Sequence, residues 1–244
     1  MALVLAAVAA QACLPAAVHA QSRVDGKIAL SSQLVDRGLA ITPATPILQG
    51  AVSWTSPTGW SLGAASAVET HSPGTPVMAL ARVSRAWAPS AEWQAQASLL
   101  YYDYRGSGMP DRLDANLYFT YRDLLSLGVS AIRVDNPRAP RRVTGAADAT
   151  LNWPVASHLS LSAGVGIGQA TITTYGRRRP PYHSGAGRTY RYDQVRVYGY
   201  GSLGLAWSHG PWRLQVDRNM DSLGDRRVYG ARAPGWVATL SRAF

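Results

Sequence analysis

The 244-residue chain has one cysteine, Cys13, within its first twenty residues, which excludes a disulfide framework, a thiolate zinc site and an iron–sulfur cluster from the remainder. Charged residues make up 16% of it, below the ~25% usual in soluble domains, while 8 Trp and 12 Tyr stand beside 2 Phe, so its aromatics mostly carry a polar edge. Lys27 is the only lysine, and the net charge of +10 is therefore carried by arginine.

The first element in chain order reads as an export signal. Residues 2–18 are dominated by Ala, Val and Leu, and Val18, His19 and Ala20 supply a small-residue cleavage site before Gln21. Residues 1–20 are thus expected as a signal peptide and 21–244 as one domain. Gln11, Pro15 and His19 interrupt the apolar run, which argues against an uncleaved spanning helix.

Beyond it the dominant pattern is alternation with period two, the signature of strands with one apolar face. Leu48, Gly50, Val52 and Trp54 alternate with Gln49, Ala51 and Ser53, and Leu113, Ala115, Leu117 and Phe119 with Asp114, Asn116 and Tyr118. The spacing predicts strands over 27–36, 46–55, 60–69, 77–87, 92–103, 112–121, 125–134, 144–153, 159–169, 193–207, 212–218 and 235–244. Their connections alternate in length. Short ones centre on 56–59, 88–91, 122–124, 154–158 and 208–211, and long ones on 37–45, 70–76, 104–111, 135–143, 170–192 and 219–234.

That order is the pattern of a transmembrane antiparallel up-and-down β-barrel of the bacterial outer membrane, with tight periplasmic turns and long extracellular loops. About twelve strands, an even number, put both termini on the periplasmic side. Trp54, Trp60, Trp87, Trp93, Trp153, Trp207 and Trp212 flank short connections, as a periplasmic aromatic girdle would. The last strand ends on Phe244, with Trp236, Ala238 and Leu240 in its phase, a feature that the barrel-assembly machinery is expected to read; Arg242 takes a position in that phase where an apolar residue is commoner.

The first hairpin carries a resemblance. Ser32 to Gly38 reads SQLVDRG, Pro46 to Gly50 reads PILQG, and Gly59 to Gly63 reads GWSLG. This succession resembles the opening of the TorF-like porins of proteobacteria, which show Ser-x-aromatic-x-x-Arg-Gly, then Pro-x-x-Gln-Gly, then Gly-aromatic-x-x-Gly. Leu34 replaces the aromatic, and Asp36 stands where an apolar residue is usual. The motifs cover roughly residues 30–66. The resemblance implies an outer-membrane porin and no catalytic residues.

Alternation places Gln49, Arg82, Gln94, Gln96, Arg112, Asp114, Asn116, Asp148, Asn152, Arg196, Arg213 and Gln215 on the inner face as candidate lumen-lining residues. An extracellular basic collar is expected from Arg141, Arg142, Arg177, Arg178, Arg179, Arg188, Arg191, Arg226 and Arg227 in long loops, suited to lipopolysaccharide phosphates. In an exported chain those arginines are not a nucleic-acid patch. The GYGSLG run from Gly199 to Gly204 matches a dinucleotide-binding string but lies inside a strand with no helix after it. The scattered histidines provide no metal spacing, and no cofactor is expected.

The expected function is passive diffusion of small solutes through an outer-membrane channel with a preference for anions, and no enzymatic activity. The 170–192 loop is a candidate for an inward-folded constriction. Two other readings are a closed, non-conducting barrel with a structural or lipopolysaccharide-binding surface, and a barrel hydrolase using His71 with Ser72 or His183 with Ser184.

Overall fold

The computed structural model describes residues 21–104, 110–135, 143–177, 189–222 and 235–244. The expected signal peptide lies outside them. The strands are β1 (Arg23–Ser31), β2 (Val35–Asp36), β3 (Leu39–Ala40), β4 (Ile47–Thr55), β5 (Trp60–Glu69), β6 (Ser72–Trp87), β7 (Trp93–Asp103), β8 (Asp111–Tyr121), β9 (Leu125–Asp135), β10 (Val143–Ala156), β11 (Leu159–Arg177), β12 (Thr189–His209), β13 (Trp212–Asp221) and β14 (Trp236–Ala243). All except β2 and β3 form one closed twelve-stranded antiparallel barrel in which each strand pairs with its sequence neighbours. The seam closes β1 on β14, with Lys27 opposite Ala243 and Ser31 opposite Thr239. Beyond that ladder, Phe244 and Gly26 exchange backbone hydrogen bonds of 2.9 and 3.0 Å. The start of β1 and the C-terminal Phe244 therefore both lie at the short-turn end.

The alternation read from the sequence becomes inside and outside. On the outer face Val165 and Val197 keep 66% and 67% of their surface exposed, beside exposed Val52, Val129, Leu203 and Leu205. Leaving that apolar area in water forfeits roughly 25 cal/mol per Å²; hydrocarbon removes the cost. Arginine facing mid-bilayer costs ~2–4 kcal/mol, and the outward arginines Arg85, Arg133, Arg218 and Arg242 all stand near strand ends. Three of them also lie over tryptophan rings: Arg85 over Trp60 at 5.5 Å, Arg218 over Trp236 at 5.7 Å and Arg242 over Trp212 at 5.4 Å. The position of Arg242 is thereby explained, because its charge is at the rim and its plane is stacked.

β10 extends to Ala156, which shortens the expected 154–158 connection to two residues, and three further differences of boundary bear on the lumen. β1 stops at Ser31, because the chain turns into the barrel at Ser32 instead of continuing as strand to 36. β6 begins at Ser72, so the second long-side connection is a two-residue turn at Thr70 and His71, not a loop over 70–76. β11 and β12 stay paired out to Arg177 and Thr189, so most of the expected 170–192 loop is a β-ribbon. Alternation continues through Thr171, Ile172 and Thr173, where β-branched residues favour strand; both prolines and most of the Gly and Arg content that reads as loop fall in 178–188, outside the described residues.

Candidate functional site: a lumen divided by the first loop

The inward constriction belongs to the first long-side connection, residues 32–46. Of the apolar residues in this loop, Leu34 and Ile41 are buried with Ile47 against Val77, Met78, Leu80, Leu100, Tyr102 and Tyr104 on the β6–β7 side. The loop is closed on itself. Ile41 N–H donates to the Leu34 carbonyl at 2.8 Å, and the Leu34 N–H donates to Thr42 Oγ1 at 3.1 Å. β2 and β3 pair through Val35 with Ala40 and Asp36 with Leu39, leaving Arg37 and Gly38 as a two-residue turn. Their φ angles of +48° and +75° are those of the type I′ turn that fits a hairpin's twist. A Cβ on Gly38 would stand 2.9 Å from Tyr200 Cβ and 3.2 Å from the Met220 carbonyl, so only glycine lets the tip abut the β12–β13 wall.

Charge fixes the other side of the loop. Arg112 Nη2 is 2.7 Å from Asp36 Oδ2, and its Nε is 2.9 Å from Asp114 Oδ1. Arg37 donates to Asp114 Oδ2 at 3.3 Å and to Ser130 Oγ at 3.1 Å. Arg112 also stacks on the Tyr102 ring at 4.3 Å. Asp114 is fully buried, and Asp36 and Arg37 nearly so. Burial alone would raise the pKa of Asp36, but the Arg112 and Arg37 guanidiniums beside it hold the carboxyl below its ordinary value. Two carboxylates and two guanidiniums therefore compensate one another inside the barrel, where either sign alone would be costly.

The loop separates two cavities that share Asp36 and Arg37. The larger, about 330 Å³, runs from Ala86, Asp123 and Ser160 beside the short turns up to Arg37 and Gly38. The smaller, about 50 Å³, lies on the far side among Arg112, Thr144, Gln169 and Tyr198.

No protein-family model matches the chain, and no curated protein matches its sequence. Among solved structures it is similar to the KdgM porin in complex with disordered oligogalacturonate, at 7% identity over 92% of this chain and 98% of that one, with a TM-score of 0.52. It is likewise similar to the NanC porin, at 12% identity over 91% and 98% of the two chains, with a TM-score of 0.51. The fold is a porin fold. At these identities the likeness reaches the barrel and not its residues.

In this porin barrel, Gln49, Arg82, Gln94, Gln96, Asn116, Asp148, Asn152, Arg213 and Gln215 line the larger cavity. Arg112 and Asp114 also point inward, but beneath the loop and committed to it. Arg196 is in phase with inward Tyr198 yet stands exposed, lining neither cavity. Alternation did not single out Asp36, Arg37, Tyr118, Tyr200, Asp217 or Lys27. The signals were present in the apolar residues of the first loop, Leu34, Val35, Leu39 and Ile41, and in Arg37-Gly38, a turn pair between short flanks.

Of the expected girdle, Trp54, Trp60, Trp87, Trp153, Trp207 and Trp212 are exposed outward at the short-turn end, and Trp93 packs on Tyr121 with ring centroids 5.2 Å apart. Of the expected collar, Arg141, Arg142, Arg178, Arg179, Arg188, Arg226 and Arg227 lie outside the described residues, as do the side chains of Arg177 and Arg191. His71 sits 3.1 Å from Glu69 in its turn, and the His158 and His209 rings meet edge-on at 5.3 Å; His183 and Ser184 lie outside the described residues. Among the described residues no three metal-ligating side chains come together.

Proposed function

We propose that this chain is an outer-membrane channel, of the TorF-like porin type, through which small solutes diffuse passively with a modest preference for anions. The observation that carries this reading is the pair of cavities on either side of Asp36 and Arg37: the barrel lumen is narrowed, at one level, by a loop held in place by its own residues. Below the loop, Arg82 and Arg213 line the lumen with no carboxylate in ion-pair contact among the described residues, and Lys27 faces the same interior by alternation. Asp148 and Asp217 oppose them, with Asp123 at the mouth, so the charges of the lumen itself balance. The preference is supplied by the arginines of the long loops, which raise local anion concentration at the outer mouth and contact lipopolysaccharide phosphates. In this reading residues 1–20 direct export, and the strand ending in Phe244 is read by the barrel-assembly machinery.

Planar-bilayer recording of the purified protein in a salt gradient tests it. The expected result is a small ohmic conductance with a reversal potential displaced towards the chloride equilibrium potential. A reversal displaced towards the cation removes the anion preference. Absence of conductance favours a second reading, a closed barrel with a structural or lipopolysaccharide-contacting role, which the buried apolar and ionic anchors of the first loop support.

A further inference from the structure

One row of inward residues runs straight across the wall facing away from the loop's apolar anchor. In register, Tyr118 on β8 is opposite Gly128 on β9, Gly128 is opposite Asp148 on β10, Asp148 is opposite Gly166 on β11, and Gly166 is opposite Tyr200 on β12. The row thus reads Tyr, Gly, Asp, Gly, Tyr across five adjacent strands, nearly symmetric about the carboxylate.

The glycines decide what the tyrosines do. A Cβ on Gly128 would fall 2.3 Å from Tyr118 Cε1 and 2.8 Å from Asp148 Oδ2, and a Cβ on Gly166 would fall 2.3 Å from Tyr200 Cζ and 2.5 Å from its hydroxyl. Both rings therefore lie flat over the neighbouring strand, leaning towards Asp148 from its two sides, instead of projecting to the barrel axis. Their faces, with Asp148, line the larger cavity directly below Arg37 and Gly38. Passage alone requires none of this. Small polar side chains would fill the wall as well.

The polar atoms around the row are unspent. Asp148 Oδ1, Asn116 Oδ1, the Tyr200 hydroxyl and Arg82 Nε are enclosed without a hydrogen-bond partner among the described residues, and all four residues line the cavity. Acceptors and donors left open together, beside two flat aromatic faces, match one class of solute. A pyranose presents an apolar C–H face to an aromatic ring and hydroxyls that both donate and accept. A simple anion would meet Asp148 at the centre of the row, and an organic cation would meet Arg37 above it and Arg82 in the same cavity.

We propose that the row from Tyr118 to Tyr200 is a pyranose-binding site in the lumen, where sugar rings stack on the two tyrosines and Asp148 accepts their hydroxyls. This rests on the channel reading to the extent that solute must enter the lumen.

Two measurements separate the proposals. Calorimetric titration of the intact protein in detergent with maltotriose and with glucuronate reads binding, and interruption of single-channel current by the same sugars reads passage. Tyr118→Ala, Tyr200→Ala and the isosteric Asp148→Asn are each expected to weaken sugar binding by about tenfold. Heat-resistant migration on gels verifies that each variant is folded, and Asp148→Asn preserves shape if the tyrosine variants do not fold. If glucuronate binds more tightly than maltotriose, Arg82→Gln is expected to abolish the difference without affecting maltotriose. Conductance without sugar binding or current block overturns the site and leaves the channel reading standing. Binding that the variants weaken, in a barrel that does not conduct, supports the site and overturns the channel. Binding unchanged in all the variants, or carboxylate-dependent binding of a quaternary ammonium solute in place of sugar, overturns the site.

Discussion

The two halves of the lumen wall are built from different materials. On the long-loop half of β6, β7 and β8 the inner face is large and either apolar or charged: Leu80, Leu100 and Tyr102 receive Leu34 and Ile41, while Arg112 and Asp114 receive Asp36 and Arg37. From β9 to β12 it is small, with Gly128, Ser162, Gly164, Gly166, Gly168, Ser202 and Gly204 on the inward phase and tyrosines pressed flat where glycine permits. One half anchors the loop through its apolar and ionic contacts; the other meets only the loop's tip, at Gly38 and Leu39, and is kept clear below it. The difference teaches that a twelve-stranded barrel, intermediate between the filled eight-stranded and open sixteen-stranded sizes, keeps space in its lumen by filling one side and thinning the opposite wall.

The largest effect should follow from removing what the first half holds. Replacing residues 34–41 by a short Gly-Ser turn deletes both the apolar plug and the partners of Arg112 and Asp114. Single-channel conductance is expected to rise several-fold, with the barrel still closed because the β1–β14 and β1–β4 ladders do not involve those residues. An unchanged conductance would show that the loop does not set the narrowest point.

Next comes Asp114→Ala. It leaves Arg37 and Arg112 buried with Asp36 as their remaining ion-pair partner, and breaking a buried pair in this way costs roughly 3–5 kcal/mol. That cost falls on the loop, which can release Arg37 to water, more than on the strands. Current recordings should therefore become noisy, with openings to the level of the loop deletion, while the thermal unfolding of the barrel shifts less than the local cost implies. A quiet channel with a lower melting temperature would place Asp114 in the scaffold, not in the loop's anchor.

The same contrast explains how far the sequence could be read. Strand number, closure, the outward apolar face and the aromatic ends were all legible, because each is a repeated local signal: alternation fixes the face of Val52, Leu117 or Leu203 without any knowledge of partners. Inward orientation was legible for the same reason, and Arg82, Asp148 and Gln215 lie where their phase puts them. What alternation does not carry is which loop turns in. That depends on Leu34 finding Leu80 and Leu100, and on Asp36 finding Arg112, contacts between residues far apart in the chain. The 170–192 segment was the longest connection and so the natural candidate, yet its first residues continue as β-ribbon. The row from Tyr118 to Tyr200 was hidden for a related reason: it becomes visible only when the register of five strands is known.

On the cleared wall, Gly166→Ala is expected to cost about 1–3 kcal/mol, the usual range for overpacking. Its Cβ would fall within 2.6 Å of three atoms of the Tyr200 side chain, whose own Cβ faces the loop tip at Gly38. The ring must lift towards the axis, so conductance should fall as stability falls. Unfolding monitored by heat-modified migration and conductance measured on the same preparation check both parts.

The smallest effect is expected two residues away, and it tests whether the clearance is for the tyrosine or for the strand. Gly164 lies on the same strand and faces the same lumen, but a Cβ there meets only the Ser202 hydroxyl at 2.8 Å, with Thr150 Cγ2 next at 3.5 Å. A serine hydroxyl rotates away at little cost. Replacing glycine by alanine where the backbone already suits it also restricts the unfolded chain, a gain of about 0.4–1 kcal/mol. Gly164→Ala should then be neutral or slightly stabilising, with conductance nearly unchanged. If it is as damaging as Gly166→Ala, glycine is required along this wall for the bending of β11 itself, and the flat placement of Tyr200 is a consequence of that bend and not its purpose.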